Sequence, residues 1–219
     1  MSIESQIKEL HNELPPTVKL VAVSKFMPVE DILSAYNAGQ RFFGENRPQE
    51  LAAKATELPS DIEWHFIGHL QSNKLKMVVP YASMIESVDS AKLLGEINAF
   101  AGKLGKKVDC LIEIHIASED TKQGFSPEEA LSLKVGDYPN IRFRGVMGMA
   151  TFTDDSQRVR DEFNSLHKVF EQMKERVAEG LSEFDQISMG MSHDYKLAVE
   201  EGATIVRIGS SIFGERKRG

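Results

Sequence analysis

The sequence predicts one (β/α)8 barrel domain, a TIM barrel, that spans residues 1–219 and carries an extra helix before its first strand. Short runs rich in Val, Ile and Phe alternate with segments whose apolar residues recur every three or four positions, which is the pattern of strands and amphipathic helices. Several strand runs are apolar at nearly every position, as in parallel strands covered by helices. An open doubly wound sheet is the competing arrangement, and no linker or low-complexity tract divides the chain.

The predicted strands are short apolar runs that end in polar or glycine-containing segments. The first run, KLVAVSK, is apolar from Leu20 to Val23, and the fifth, VDCLIEIHIA, is the richest in β-branched residues. The eight predicted strands are residues 19–25, 41–46, 63–68, 83–89, 108–117, 141–150, 185–191 and 204–214.

Apolar spacing and proline or glycine boundaries predict the helices. The first helix covers residues 2–14 and ends at Pro15 and Pro16, because a residue before proline is disfavoured in helical geometry. Seven further helices are predicted at residues 28–39, 48–58, 70–79, 90–105, 127–135, 156–178 and 192–203. The longest has one continuous apolar face, formed by Val159, Phe163, Leu166, Phe170, Met173 and Val177.

Composition is that of an ordinary globular protein, with 41% hydrophobic and 27% charged residues. The formal charge of −7 argues against a nucleic-acid partner, because such proteins usually need a basic face to displace counterions from phosphates. The single cysteine excludes an internal disulfide, and no apolar run reaches the roughly 20 residues that cross a bilayer. We therefore expect a cytoplasmic protein, and we interpret the basic segment at residues 215–219 as a solvated tail.

Lys25 ends the first predicted strand, on the same face as Val21 and Val23. A lysine in this position often extends into solvent. In a barrel, however, chemistry lies at the carboxyl ends of the strands. If the Lys25 face lines the barrel, burial lowers the pKa of the amine from about 10.4, and the neutral amine is a nucleophile for a carbonyl.

The segment RIGSSIFG, near the end of the chain, has the parts of an anion site. Gly209 lets backbone amides approach a ligand, Ser210 adds a hydroxyl, and Arg207 adds a cation. Ser192 is a further candidate, although it is also a good helix N-cap. A lysine nucleophile opposite a phosphate site predicts a ligand with both a carbonyl and a phosphate, which is either a sugar phosphate or pyridoxal 5′-phosphate.

Six ordered motifs make the chain similar to a known family over residues 19–214. They are VAVSK, FGEN, WHFIGHLQSNK, RGVMGMA, SMGMSHD and VRIGSSIFG. The chain resembles the pyridoxal phosphate homeostasis proteins, the single-domain relatives of the alanine racemase N-terminal barrel. The resemblance is more specific than any one motif, because the order and the spacing of all six agree.

The resemblance implies roles for eight residues in binding pyridoxal 5′-phosphate. Lys25 is expected to form the Schiff base, and Arg207 is expected to face either the pyridine nitrogen or the phosphate. Asn46 is expected beside the cofactor, and Ser192, Gly209 and Ser210 in the phosphate cradle. His65 and Met149 are added from their strand-end positions alone. No metal site is expected, because His65 and His69 do not share a face in a strand-to-loop segment.

The family implies a carrier or buffer of the cofactor in vitamin B6 homeostasis, with pyridoxal phosphate-dependent apo-enzymes as recipients and a monomer or weak dimer as the active form. The resemblance to alanine racemase stops at Gly214, so the tyrosine that serves there as the opposing acid/base is not found in this sequence. The alternatives are a weak pyridoxal phosphate-dependent racemase or decarboxylase, with His65, His193 or Tyr195 as acid/base, and a cofactor-free Schiff-base aldolase.

Overall fold

A computed structural model describes residues 2–117 and 123–214, and within these ranges eight parallel strands close into a barrel surrounded by helices. Each strand pairs with the next along the chain, and β8 pairs with β1, so that Lys19 lies opposite Ile205 and Ala22 opposite Ile208. Closure between the first and last strands excludes the open doubly wound sheet. The predicted (β/α)8 barrel is confirmed.

The strands and helices agree with the predicted order and are mostly shorter than predicted. The strands β1 to β8 are Lys19–Val23, Phe42–Glu45, Glu63–Phe66, Met84–Val88, Val108–Glu113, Ile141–Met147, Gln186–Met191 and Ile205–Ile208. The helices α1 to α9 are Ile3–Glu13, Val29–Asn37, Pro48–Glu57, Leu75–Val78, Ala91–Lys103, Pro127–Leu131, Ser156–Arg176, Tyr195–Glu200 and Ser210–Phe213. Two 3₁₀ turns, Ser72–Lys74 and Val135–Asp137, complete the described elements.

The largest corrections at carboxyl ends concern two of the predicted strands. The last one, predicted over 204–214, ends at Ile208, and the chain then turns into the short helix α9. The fifth, predicted to reach residue 117, ends at Glu113, and the next residue, Ile114, forms an isolated bridge to Phe125. After β5 the sequence stays largely apolar to residue 117, so composition does not signal the strand end. After β8 the run from Gly209 to Ser211 interrupts the apolar pattern and marks the change of direction.

Two layers of apolar side chains form the core. Inside the barrel a cluster of buried residues fills the space between the strands: Val21, Met84, Leu111, Met147 and Ile205. A larger layer lies between strands and helices and includes the predicted face of α7, where Phe163, Leu166 and Met173 have no exposed surface. Burying a large apolar side chain of either layer contributes about 1.5–3 kcal/mol to stability. The inner cluster fills the barrel interior, so the barrel is a packed core and not a pore.

The predicted extra helix precedes the barrel as α1. Ser2 caps it by accepting a hydrogen bond from the Ser5 amide, and Ile7 and Leu10 are buried against the rest of the fold. No helix in the described ranges is long and apolar enough to cross a membrane. The basic segment at residues 215–219 lies outside the described residues.

Candidate functional site

A cavity of about 450 Å³ opens at the carboxyl ends of the barrel strands. Its lining comes from the ends of β1, β7 and β8 and from the segments after β1, β2, β3, β6, β7 and β8. The barrel brings seven of the eight predicted site residues together in this lining: Lys25, Asn46, Met149, Ser192, Arg207, Gly209 and Ser210. The volume lies in the range of roughly 300–1,000 Å³ that is usual for sites that bind small molecules.

A second crevice, of about 470 Å³, lies at the opposite end of the barrel. It is lined by the connection between α1 and β1 and by the starts of β1 and β2, among them His11, Lys19 and Gln40. None of the predicted site residues is among the described residues that line it. Because the loops of a (β/α)8 barrel place chemistry at the carboxyl end, we assign the candidate site to the 450 Å³ cavity.

Lys25 lies in a turn that directly follows β1, two residues beyond the last residue of that strand. The turn is closed by a hydrogen bond of 3.0 Å from the Met27 amide to the Ser24 carbonyl. Val21 belongs to the inner core cluster, and Val23 and Lys25 both line the cavity. The predicted face is therefore correct, and the partly buried Lys25 belongs to the wall of the cavity.

The predicted anion loop joins β8 to α9 and contacts the loop after β7. The Gly209 amide donates a hydrogen bond of 3.2 Å to Ser192 Oγ, which brings two of the predicted cradle residues together. A Cβ on Gly209 would lie 3.3 Å from both the Cβ and the carbonyl oxygen of Val23, so glycine permits this close approach to β1. Ser210 follows at the start of a helical turn, where amides have no acceptor within the helix.

Arg207 is buried, and its guanidinium is fixed by the barrel interior. It donates to Ser188 Oγ and, at 3.0 Å, to the Gly148 carbonyl. Ser188 in turn donates to Glu86, whose carboxylate lies 3.8 Å from Arg207. Burial lowers the pKa of Arg207, and the negative charges of Glu86 and Glu113 oppose that shift. The site therefore holds a cation whose position is set by protein contacts.

His65 is the predicted site residue that does not line the cavity. Its ring is 1% exposed, contacts Glu86 through Nδ1, and packs edge-on against Phe42. Burial alone would raise the pKa of Glu86, but the hydrogen bond from His65 and the charges of His65 and Arg207 hold that pKa below its ordinary value. The structure places His65 one layer beneath the cavity, behind Glu86 and Arg207.

Two further polar groups lie at the same end of the barrel. Asn46 lines the cavity, and its Oδ1 is buried without a hydrogen-bond partner among the described residues. Glu113 ends β5, 6% exposed, in a recess that it shares with Met149. Burial and the charge of Asp89 raise the pKa of Glu113 to about 7, against the opposing effect of Arg207. Near neutral pH the mouth of the barrel thus contains an unpaired amide oxygen and a carboxyl group that titrates.

Comparison with known sequences identifies the family. The profile of the family described as "Alanine racemase, N-terminal domain" matches residues 1–217. The "Pyridoxal phosphate homeostasis protein" of Pasteurella multocida is 41% identical over 204 residues, which cover 91% of this chain and 87% of that protein. The chain belongs to the pyridoxal phosphate homeostasis protein family. The resemblance seen in the six motifs is confirmed.

Relatives of this family occur in bacteria and eukaryotes. The pyridoxal phosphate homeostasis protein of Homo sapiens is 40% identical over 212 residues, which cover 90% of this chain and 76% of the human protein. The solved structure of PipY of Synechococcus elongatus without PLP superposes with a TM-score of 0.91 at 35% identity, and covers 97% of this chain and 100% of PipY. The structure of PipY with PLP bound has a TM-score of 0.86 at 34% identity and the same coverage.

More distant structures share the fold. An alanine racemase of Clostridium difficile has a TM-score of 0.80 at 15% identity, and the match covers 99% of this chain and 57% of the racemase. At this identity the likeness supports the barrel alone.

Several residues of the site are absent from the predicted set. Glu86 is the most informative, because it lies two residues after Met84 on β4, at a position that faces into the barrel. A charged residue on the inward face of an otherwise apolar strand was the signal in the sequence. Glu113 has the same relation to Leu111 on β5. The other lining residues outside the predicted set are Val23, Met27, Ile67, Gly68, Met191, His193, Phe213 and Gly214.

Proposed function

We propose that this protein binds pyridoxal 5′-phosphate in the 450 Å³ cavity, holds it as a Schiff base on Lys25, and carries or buffers it for cofactor homeostasis. The observation that supports the proposal is the meeting of Lys25, Arg207 and the Ser192–Gly209 contact in one cavity. A lysine amine and an anion cradle at opposite ends of the chain fit a ligand that has both an aldehyde and a phosphate.

The residues of the cavity fit this cofactor. The buried Oδ1 of Asn46 lacks a protein partner in the described ranges and is available as an acceptor toward a ligand. The Ser192 hydroxyl and the first amides of α9 supply donors for phosphate oxygens, and the Gly209 amide, which donates to Ser192 Oγ, positions that hydroxyl. When bound, pyridoxal 5′-phosphate supplies an aldehyde conjugated to an electron-withdrawing ring.

Lys25 supplies the nucleophile for the covalent step. Its neutral Nζ adds to the aldehyde carbon, a C=N bond replaces the C=O bond, and the oxygen leaves as water with the two amine hydrogens. Arg207 presents a cation to the cavity. Beside the ring nitrogen, Arg207 disfavours protonation of that nitrogen and weakens the ring as an electron sink. Beside the phosphate it neutralises charge. Either contact would help to hold the cofactor in the cavity.

The test begins with absorbance of the purified protein after pyridoxal 5′-phosphate is added. Borohydride reduction and peptide mapping should then place the pyridoxyl group on Lys25. A Lys25→Ala variant should lose the absorbance of the covalent form, whereas Lys92→Ala, which removes an exposed lysine of α5, should keep it. A protein that neither changes absorbance nor gains mass after reduction would overturn the proposal.

The carrier role requires a second measurement. Loaded protein is mixed with the apo-form of a pyridoxal phosphate-dependent enzyme, and transfer should appear as activity of the recipient together with loss of colour from this protein. A protein that keeps its colour while the recipient stays inactive would contradict the carrier role. Apo-enzymes are thus the proposed recipients, and we propose a monomer or weak dimer of a cytoplasmic protein as the acting form.

A weak racemase or decarboxylase is the second candidate, and Glu113 is the observation that favours it. The carboxyl group shares a recess with Met149, which also lines the main cavity, and its pKa of about 7 suits an acid/base at neutral pH. Exchange of the α-hydrogen of L-amino acids in deuterated water measures this activity. Exchange that exceeds that of the free cofactor and is lost in Glu113→Gln supports an enzyme, and exchange no faster than with the free cofactor contradicts it.

A further inference from the structure

The two peptide groups that flank Lys25 are both held by side chains of one helix. Lys54 donates a hydrogen bond of 2.9 Å to the Ser24 carbonyl, which belongs to the peptide bond before Lys25. The Phe26 amide, which belongs to the peptide bond after Lys25, donates a bond of 2.8 Å to Glu50 Oε2. Glu50 and Lys54 lie four residues apart on α3, so they share one face of that helix.

The two side chains are joined to each other and to the barrel. Lys54 Nζ lies 3.0 Å from Glu50 Oε2 and 2.8 Å from Glu45 Oε1. Glu45 ends β2, has no exposed surface, and also accepts a 2.6 Å hydrogen bond from Ser24 Oγ. One buried ammonium therefore links the end of β2, the face of α3 and the start of the Lys25 turn.

The turn has a backbone conformation that needs such support. Phe26 has φ of 64°, in the left-handed region that side chains other than glycine rarely adopt. Phe26 is 42% exposed, and its ring stacks against the Arg47 guanidinium at 4.2 Å, so a buried apolar pocket does not account for the conformation. The hydrogen bond to Glu50 fixes the orientation of the peptide group between Lys25 and Phe26, and that orientation sets the direction in which the Lys25 side chain leaves the backbone.

The charges and donors around Glu50 favour its ionised form, which is the form that accepts the Phe26 amide. Burial would raise the pKa of Glu50, but the Phe26 amide, Lys54 and Arg47 together hold it below its ordinary value. Glu50 is therefore ionised at neutral pH. It accepts the Phe26 amide as a carboxylate, which makes a stronger hydrogen bond than a neutral acceptor.

We propose that Glu50 and Lys54 are positioning residues for Lys25, and that together they form a clamp that aims the Lys25 amine into the cavity. The proposal rests on the proposed function, since Lys25 is the amine that bonds to the aldehyde. Neither residue lines the cavity, so each acts through the backbone of the turn and not by touching the ligand.

The test compares Glu50→Ala and Lys54→Met with the conservative variants Glu50→Gln and Lys54→Arg. Lys106→Met is the matched control, because Lys106 also donates from a partly buried ammonium to a backbone carbonyl, that of Val79, but just before β5 at the amino end of the barrel. Three quantities are measured: the rate at which pyridoxal 5′-phosphate becomes attached to Lys25, the thermal midpoint of the cofactor-free protein, and the acetylation of Lys25 relative to exposed Lys92 in cofactor-free protein.

Glu50→Ala and Lys54→Met should slow attachment roughly tenfold or more, since small misplacement of a nucleophile has effects of that size. They should also change the relative acetylation of Lys25. Glu50→Gln should recover most of the rate, because its amide oxygen still accepts from Phe26, and Lys106→Met should match the unmodified protein in both readouts. If Lys54→Met does not fold, the two Glu50 variants decide, since Glu50 is partly exposed on the helix surface.

Each outcome decides the proposal. Lower thermal midpoints with unchanged attachment and unchanged acetylation mean that the clamp only stabilises the fold, and the proposal is then overturned. If the unmodified protein does not attach the cofactor at Lys25, but acetylation still responds to the Glu50 and Lys54 variants, the proposed function fails while the clamp stands.

Discussion

Replacing Glu113 by glutamine should remove a pH-dependent loss of stability that the buried carboxyl imposes on this protein. Glu113 is 6% exposed at the mouth of the barrel, and its pKa of about 7 in the fold compares with 4.5 for an ordinary glutamate. One pKa unit corresponds to about 1.36 kcal/mol, so the difference amounts to about 3 kcal/mol of unfolding free energy.

The sign follows from proton binding. Between pH 4.5 and about 7 the folded protein keeps the Glu113 proton and the unfolded chain has lost it. Stability contributed by this group is therefore complete below pH 4.5, falls as the pH rises, and is lost above about 7. Glutamine is neutral throughout, so the stability of Glu113→Gln relative to the unmodified protein should rise by about 3 kcal/mol across this interval.

Urea unfolding at pH 5, 6, 7 and 8, followed by circular dichroism, measures the difference. Comparing the two proteins at each pH cancels the titration of every other group that the substitution leaves unaltered. A difference that stays constant from pH 5 to pH 8, or that falls as the pH rises, would refute the assigned pKa and with it the view of Glu113 as a neutral carboxyl in the fold.

Three further substitutions test the site. Lys25→Ala should abolish the absorbance of covalently bound cofactor while the thermal midpoint of the cofactor-free protein changes little, because Lys25 lies in a turn at the cavity wall. Arg207→Met should destabilise the protein by about 3 kcal/mol in urea unfolding, since it removes one of the two positive charges that face the buried Glu86 carboxylate and leaves the Gly148 carbonyl without its donor. Gly209→Ala should weaken cofactor binding roughly tenfold in equilibrium dialysis, because the new methyl group would lie 3.3 Å from Val23 and displace the cradle. An unchanged dissociation constant for Gly209→Ala would remove that loop from the phosphate site.

Much of the fold could be predicted from the sequence, because each barrel unit has a local signal. The alternation of apolar strands with 3.6-residue periodicity gave the eight units in order, and period-two alternation put Val21, Val23 and Lys25 on the inward face. The rule that chemistry lies at the carboxyl ends of barrel strands then selected residues from separate motifs, and seven of the eight selected line one cavity.

The sequence could not show how deeply each site residue is buried or which residues hold the Lys25 turn in place. His65 and Asn46 both lie near strand ends, but the histidine ring points beneath the cavity toward Glu86, and strand position alone does not distinguish the two depths. The contacts of Glu50 and Lys54 with the Lys25 turn depend on how α3 packs against the turn that follows β1. Their spacing on α3 predicts an ordinary surface ion pair, and only the fold brings that pair against the Ser24 carbonyl and the Phe26 amide.

The buried charges around Arg207 are relevant to function, because burying an ion pair contributes little net stability to a barrel. An ion pair such as Arg207 and Glu86 loses hydration when it is buried, and replacing such a pair by apolar residues of similar volume is often neutral or stabilising. The inner cluster just below, with Val21, Met84 and Leu111, already closes the barrel by apolar packing. Stability alone therefore does not account for a cation at the end of β8. The phosphate-bearing ligand proposed above would account for it, because the contacts of Arg207 with Ser188 and Gly148 hold the cation at the cavity wall.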